Sequence, residues 1–141
     1  MRKHCFKRSR FTLIEVVVVI IILVTLASIA TPIYLNYVKK ANVGAATTQV
    51  KLLEDALTGY KLDIGSYPDT ATGLRALVEN VDQNEKWDGP YIKPAVPKDP
   101  WGNDYVYTSP GEHGDFDLVS YGAGQPGGTG ENADITNYVE K

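Results

Sequence analysis

At 141 residues and 15.5 kDa, with 43% hydrophobic residues, the chain has room for one modest core and is too small for a multi-domain enzyme. Its single cysteine, Cys5, excludes an intrachain disulfide and a zinc site built from cysteines. The formal charge of −3 hides an asymmetry: Arg2, Lys3, Lys7, Arg8 and Arg10 crowd the start, leaving nine cations against all 17 acids elsewhere, which argues against nucleic-acid binding by the body of the chain.

Residues 1–10 form a basic leader, and the run from Phe11 to Ile33 that follows is apolar except for Glu15 and a few small hydroxyl or proline residues. At about 1.5 Å per residue a helix over this run crosses the roughly 30 Å hydrocarbon core of a bilayer. The segment 11–37 is therefore predicted to span a membrane, with the cationic flank in the cytoplasm and the acidic body, 38–141, on the far side. A cleaved secretory signal shares the basic start, and Ala27-Ser-Ile-Ala30 offers small residues for a cut, but its apolar region is shorter, about 7–15 residues.

Beyond Pro32 the pattern turns amphipathic. Ala46, Val50, Leu53, Leu57 and Tyr60 recur at three- and four-residue steps while Lys51, Glu54, Asp55, Thr58 and Lys61 take the other face, which predicts a helix over 42–64 with one buried stripe. This helix can continue the membrane helix through a bend at Pro32, whose missing N–H removes the bond to the Ser28 carbonyl. Gly65 and Ser66-Tyr67-Pro68 stop it. A short helix is predicted over Thr72 to Val78. From Asp82 onward prolines and glycines mark loops, with strands predicted at Asp104 to Thr108 and Phe116 to Tyr121, and a glycine-rich stretch from Gly122 to Glu131.

Glu15 is the side chain that asks most for an explanation, since a carboxylate near lipid needs a partner, a proton or a place at the interface. Four residues inside the run, it can snorkel; were the chain cut before Phe11, a new α-ammonium would stand one helical turn away, in reach of Glu15 or of a neighbouring chain's copy. His113, Asp115 and Asp117 would share a face if the strand reached that far, but no serine or cysteine nucleophile accompanies them, and surface turn residues are the simpler account. Trp87 and Trp101 read as core and interface aromatics. The acidic, glycine-rich tail is compatible with calcium, which takes carboxylate and carbonyl oxygens on flexible backbone.

The leader followed by FTLIEVVVVIIILVTLASIATPIY resembles the start of type IV pilins and type II secretion pseudopilins. The segments ALTGYKLDIGSYPDTATGLRALV, GPYIKPAVPKDPWGNDYVYTSPGEHGDFDLVSYGAG and ADITNY look like the major pseudopilins, the general secretion pathway protein G family. The resemblance implies an α+β, type IV pilin-like fold with a long N-terminal helix and a small head of short antiparallel strands and loops. It implies cleavage by a prepilin peptidase between Arg10 and Phe11, methylation of Phe11, assembly guided by Glu15, and a helix-bending role for Pro32. It also implies a bacterial inner-membrane protein with a periplasmic head. Its partners would be copies of itself in a helical homopolymer, minor pseudopilins and the inner-membrane assembly platform, with polymerisation driving export of folded proteins. Other readings are a type IV pilin or minor pilin-like subunit, which the missing cysteine pair disfavours, and an anchored periplasmic enzyme or binding module.

Two positions depart from the family pattern. Arg10 stands where the family has glycine before the cut, which predicts slow processing. The family's C-terminal loop carries calcium-binding aspartates, and here Ser120-Tyr-Gly-Ala-Gly124 lacks the first of them. The resemblance then leaves Asp134 as the main carboxylate, Tyr121 and Gln125 as carbonyl ligands and Glu131 as a substitute, a set that predicts weak calcium binding.

Overall fold

In a computed structural model the described residues are 11–124, 126–128 and 133–138, and they fall into two units divided between Lys39 and Lys40. Helix α1 runs from Leu13 to Ile64 without interruption at Pro32. It starts at Thr12, whose Oγ1 accepts the Glu15 N–H at 3.3 Å. Thr12-Leu-Ile-Glu15 thus places an N-capping hydroxyl three residues before a glutamate, the arrangement of a capping box. Within the apolar run Thr25, Ser28 and Thr31 donate their hydroxyls to the carbonyls of Ile22, Thr25 and Ala27, so their polar hydrogens need no water. Every residue from Phe11 to Lys40 is exposed, and α1 is long and apolar enough to cross a membrane.

The second unit is built on the other half of α1. Its buried stripe is Ala46, Val50, Leu53, Leu57 and Tyr60, the set that the three- and four-residue steps single out. Gly65 ends the helix in the left-handed region at φ 99°, donating its N–H to the Lys61 carbonyl at 2.8 Å. The short helix expected over Thr72 to Val78 is a 3₁₀ turn, Gly73–Leu77, tied in front by the Thr72 N–H on Asp69 Oδ1 at 2.7 Å. Three strands, β1 (Val106–Thr108), β2 (Asp117–Ser120) and β3 (Ile135–Thr136), form an antiparallel sheet in the order β1-β2-β3. Tyr107 pairs with Leu118 and Ser120 with Ile135. The predicted strands are therefore each shorter than expected, and β3 is additional.

Tyr105, Tyr107, Phe116, Leu118 and Ile135 close the core with Leu74, Ala76, Leu77 and the α1 stripe. Trp87 and Trp101 pack against it half-buried, as expected of core aromatics, and Trp87 Nε1 donates to the Ala76 carbonyl at 2.8 Å. Two tyrosines carry a pH signature. Burial, then the hydrogen bond to Asp63, pushes Tyr91 up to about 12, and burial, then the charge of Asp99, pushes Tyr105 up to about 12. In the unfolded chain both ionise near 10, so between about 10 and 12 the unfolded chain has lost protons that the folded head keeps. The head is expected to lose stability progressively across that window, visible as a falling midpoint in urea titrations at pH 9, 10 and 11. A midpoint that stays flat across them would remove the contribution.

Candidate functional site

Three regions hold the residues that sequence reasoning marks for function. Phe11 and Glu15 lie at the start of α1, where Phe11 is 76% exposed and precedes the first helical turn. Glu15 is in that turn, its backbone bonded to Thr12, and a carboxylate there favours the positive end of the helix dipole. Pro32 lies inside the helix on the same exposed stretch. Arg10 is outside the described residues. The arrangement offers a continuous apolar rod with one acid near its N-terminal end, a surface that must be covered by lipid or by other apolar surface.

Around the second region, the loop between β1 and β2, the expectation for His113, Asp115 and Asp117 needs correcting. Only Asp117 is in the strand, and it is buried at 8% exposure rather than on the surface. Its carboxylate accepts the backbone N–H groups of Glu112 and His113 and lies 3.1 Å from His113 Nδ1. Burial would raise its pKa, but these hydrogen bonds outweigh burial and hold it below the usual carboxylate range. Gly111 makes this possible, because a Cβ there would stand 2.6 Å from Asp117 Oδ1. His113 stacks on Tyr138 at 3.8 Å, and Asp115 pairs with Lys61 of α1 at 2.8 Å. His113 and Asp117 thus meet each other while Asp115 turns away to Lys61, and together these contacts clamp the loop.

The third region is the entrance to the glycine-rich stretch. Asp99 is buried at 4% exposure, and its Oδ1 accepts the N–H groups of Trp101 and Asn103 at 3.0 and 2.8 Å. Its Oδ2 accepts the hydroxyl of the fully buried Ser120 at 2.7 Å, and Ser120 Oγ in turn accepts the Gly122 N–H. Asn103 Nδ2 donates to the Gly122 carbonyl at 3.1 Å. This knot joins the Asp99–Asn103 turn to the end of β2. Its residues lie in the DPWGN and VSYG segments, whose aspartate two residues before Trp101 and asparagine two after it were the available signal.

Beyond the knot, Asp134 Oδ2 accepts the Gly127 N–H at 2.9 Å, while its Oδ1 is buried with no hydrogen-bond partner among the described residues. The Tyr121 carbonyl accepts the Gly124 N–H at 3.1 Å. Gln125 and Glu131 lie outside the described residues, among which no group of three His, Cys, Asp or Glu side chains comes together. An orphaned buried carboxylate oxygen fits a bound cation; a single carboxylate makes such a site weak.

Comparison with known proteins bears on all three regions. Residues 33–138 match the profile of the family described as type II secretion system (T2SS), protein G. The type II secretion system core protein G of Vibrio cholerae serotype O1 is 48% identical, over 96% of this chain and 95% of that protein. The core protein G of Escherichia coli K12 is 45% identical over 94% of this chain and 92% of its own length. That of Pseudomonas aeruginosa is 44% identical over 94% and 96%. Among solved structures, the major pseudopilin from the type 2 secretion system of enterohaemorrhagic Escherichia coli matches with a TM-score of 0.59 at 38% identity, covering 73% of this chain and 91% of that one.

Proposed function

The chain belongs to the type II secretion system protein G family, and from that premise we propose that it is a structural subunit of the secretion pseudopilus, polymerising through its N-terminal helix to drive export of folded proteins. The observation that carries this reading is the junction of two unlike halves in one helix. From Ala46 to Tyr60 α1 buries one stripe against its own head, whereas from Leu13 to Val38 it is largely apolar and wholly exposed. Such a rod is stable in lipid and can exchange lipid for the same stripe on neighbouring copies without meeting water. The family is one of structural subunits, and the second region's ion pairs and hydrogen bonds are accounted for by loop clamping, which supports a non-enzymatic role. Complementation tests it: in a strain lacking its own protein G but holding the rest of the system, this chain should restore secretion. Failure with normal expression and insertion would count against the reading.

The finer steps belong to the same proposal. The basic leader favours a cytoplasmic N-terminus and a periplasmic head. A prepilin peptidase would cut after Arg10 and leave Phe11 as the methylated N-terminus, with minor pseudopilins and the inner-membrane platform as further partners. Because a bulky cation replaces glycine before the cut, Arg10→Gly is expected to be processed faster than the native chain by the same peptidase. Equal rates in a pulse-chase would show that arginine is accepted.

Calcium, if bound, would be held by Asp134 and the Tyr121 carbonyl, with the Gln125 carbonyl and Glu131 as further donors; it would supply the tie that the orphaned Asp134 oxygen lacks. With one carboxylate the affinity belongs near the weak end for extracellular calcium modules, a Kd of roughly 10⁻⁴ to 10⁻³ M. At a tenfold excess over Kd the ion would stabilise the head by about 1.4 kcal/mol, a rise of several degrees in Tm. Asp134→Ala should abolish that calcium-dependent rise. A native head whose Tm stays unmoved by calcium at about ten millimolar is held without metal.

A further inference from the structure

The apolar stretch of α1 carries two large polar-tipped aromatics, Tyr34 and Tyr37, both exposed, at 67% and 70%, and one helical turn apart on neighbouring positions. No other aromatic follows Phe11 in this unit, and the first cation after the apolar run is Lys39. Along an uninterrupted helix Glu15 lies about 28 Å from the level of Tyr34 and about 33 Å from that of Tyr37, at 1.5 Å per residue. This separation matches the roughly 30 Å thickness of a bilayer's hydrocarbon core. Tyrosine rings settle at the boundary between acyl chains and headgroups, where the ring is shielded and the hydroxyl stays wet.

We infer that Tyr34 and Tyr37 form an interfacial anchor that binds the phospholipid headgroup layer on the head side of the membrane and fixes the depth of α1, so that Glu15 stands at the opposite headgroup layer. The inference rests on the membrane-spanning reading above and adds a register to it. Moving the helix inward by one turn would drag the Tyr37 hydroxyl into hydrocarbon, and moving it outward would drag Glu15 there, so the two ends oppose sliding in both directions. The occupant is lipid rather than protein at this stage because exposed Ile33, Leu35 and Val38 sit beside the two tyrosines while polar Asn36 and the cations Lys39 and Lys40 begin at the same level, the change from apolar to polar that a headgroup boundary meets.

Thiol accessibility tests the register. The full chain, with Cys5→Ser, would be placed in vesicles of phosphatidylethanolamine and phosphatidylglycerol with a single cysteine at Ile29, Ile33 or Val38, and exposed to a membrane-impermeant maleimide on the head side. Val38→Cys is expected to label while Ile29→Cys and Ile33→Cys stay protected. Tyr34→Ala with Tyr37→Ala should let the helix sink by about one turn and cost Val38→Cys its labelling, and Tyr34→Trp with Tyr37→Trp should restore it. Unchanged labelling in the double alanine variant, or a labelled Ile29→Cys in the parent, overturns the anchor while leaving the span intact. A chain that carbonate strips from the vesicles overturns the spanning reading itself, and the anchor with it.

Discussion

Glu15→Ala is expected to leave the chain in the membrane and to abolish fibre formation. Removing an acid from the lipid-facing end of α1 cannot make insertion harder, since a carboxylate near hydrocarbon costs a few kcal/mol on insertion scales. Start of the helix also survives, because Thr12 supplies the cap and the backbone N–H of residue 15 remains to bind it. Loss of the favourable dipole term is worth only about 0.3–1 kcal/mol, too little to explain an all-or-none defect. On the proposed reading, what disappears is the charge that would meet the α-ammonium of a cleaved neighbour inside an apolar contact. Glu15→Gln separates the two roles of the residue, because glutamine completes a capping box but carries no charge. Both variants should stay with membranes after carbonate extraction and yield no sheared fibres. Normal fibre yield from Glu15→Gln would assign the residue to capping and defeat the pairing.

Asp99→Ala should be the most damaging single change in the head. It leaves the N–H groups of Trp101 and Asn103 and the fully buried Ser120 hydroxyl without their acceptor in one step. Stranding buried donors of a carboxylate costs about 3 kcal/mol or more, which for a head of this size lowers Tm by the order of 10–20 °C. Asp99→Asn keeps an oxygen for the two backbone donors and should cost about half as much. Because the knot fixes Gly122 through Asn103 and Ser120, the damage should spread to the glycine-rich stretch. Hydrogen exchange at Gly122 and Gly124 would then rise in the alanine variant before global unfolding. If Asp99→Ala and Asp99→Asn melt within a degree of the native head, the knot contributes nothing.

How far the sequence foretells this molecule depends on the distance over which each signal acts. Helix α1 was legible because its period repeats over many turns: Ala46, Val50, Leu53, Leu57 and Tyr60 are both the expected and the observed stripe. Gly65 was legible as its end because a left-handed cap has a residue preference. The 3₁₀ turn was expected only as a short helix, since five residues are too few to separate a three-residue period from a 3.6-residue one. Strand β3, two residues long, has no period at all, and Asn137 lengthens it by a side chain that mimics a strand, accepting the Leu118 N–H at 2.8 Å. Asp99 and Ser120 are 21 residues apart, so nothing local announces their bond. Asp117 was misjudged for a related reason: its burial is made by Gly111 and by donors in a loop that sequence treats as surface. Among the site residues, Phe11, Glu15 and Pro32 were read from resemblance and the apolar run, whereas the companion role of Thr12 was available in the T-x-x-E spacing and was missed.

The central claim is that the exposed apolar half of α1 is the surface by which copies of the chain polymerise. Electron cryomicroscopy of fibres sheared from cells, with this chain as the sole major subunit and the remaining secretion machinery intact, tests it most directly. The account predicts helical fibres in which residues from Phe11 to Val38 pack against the same residues of neighbouring copies at the fibre axis, with Glu15 within hydrogen-bonding distance of a neighbour's N-terminal nitrogen. Fibres held together by head contacts alone, with the apolar half of α1 at their outer surface, would contradict it.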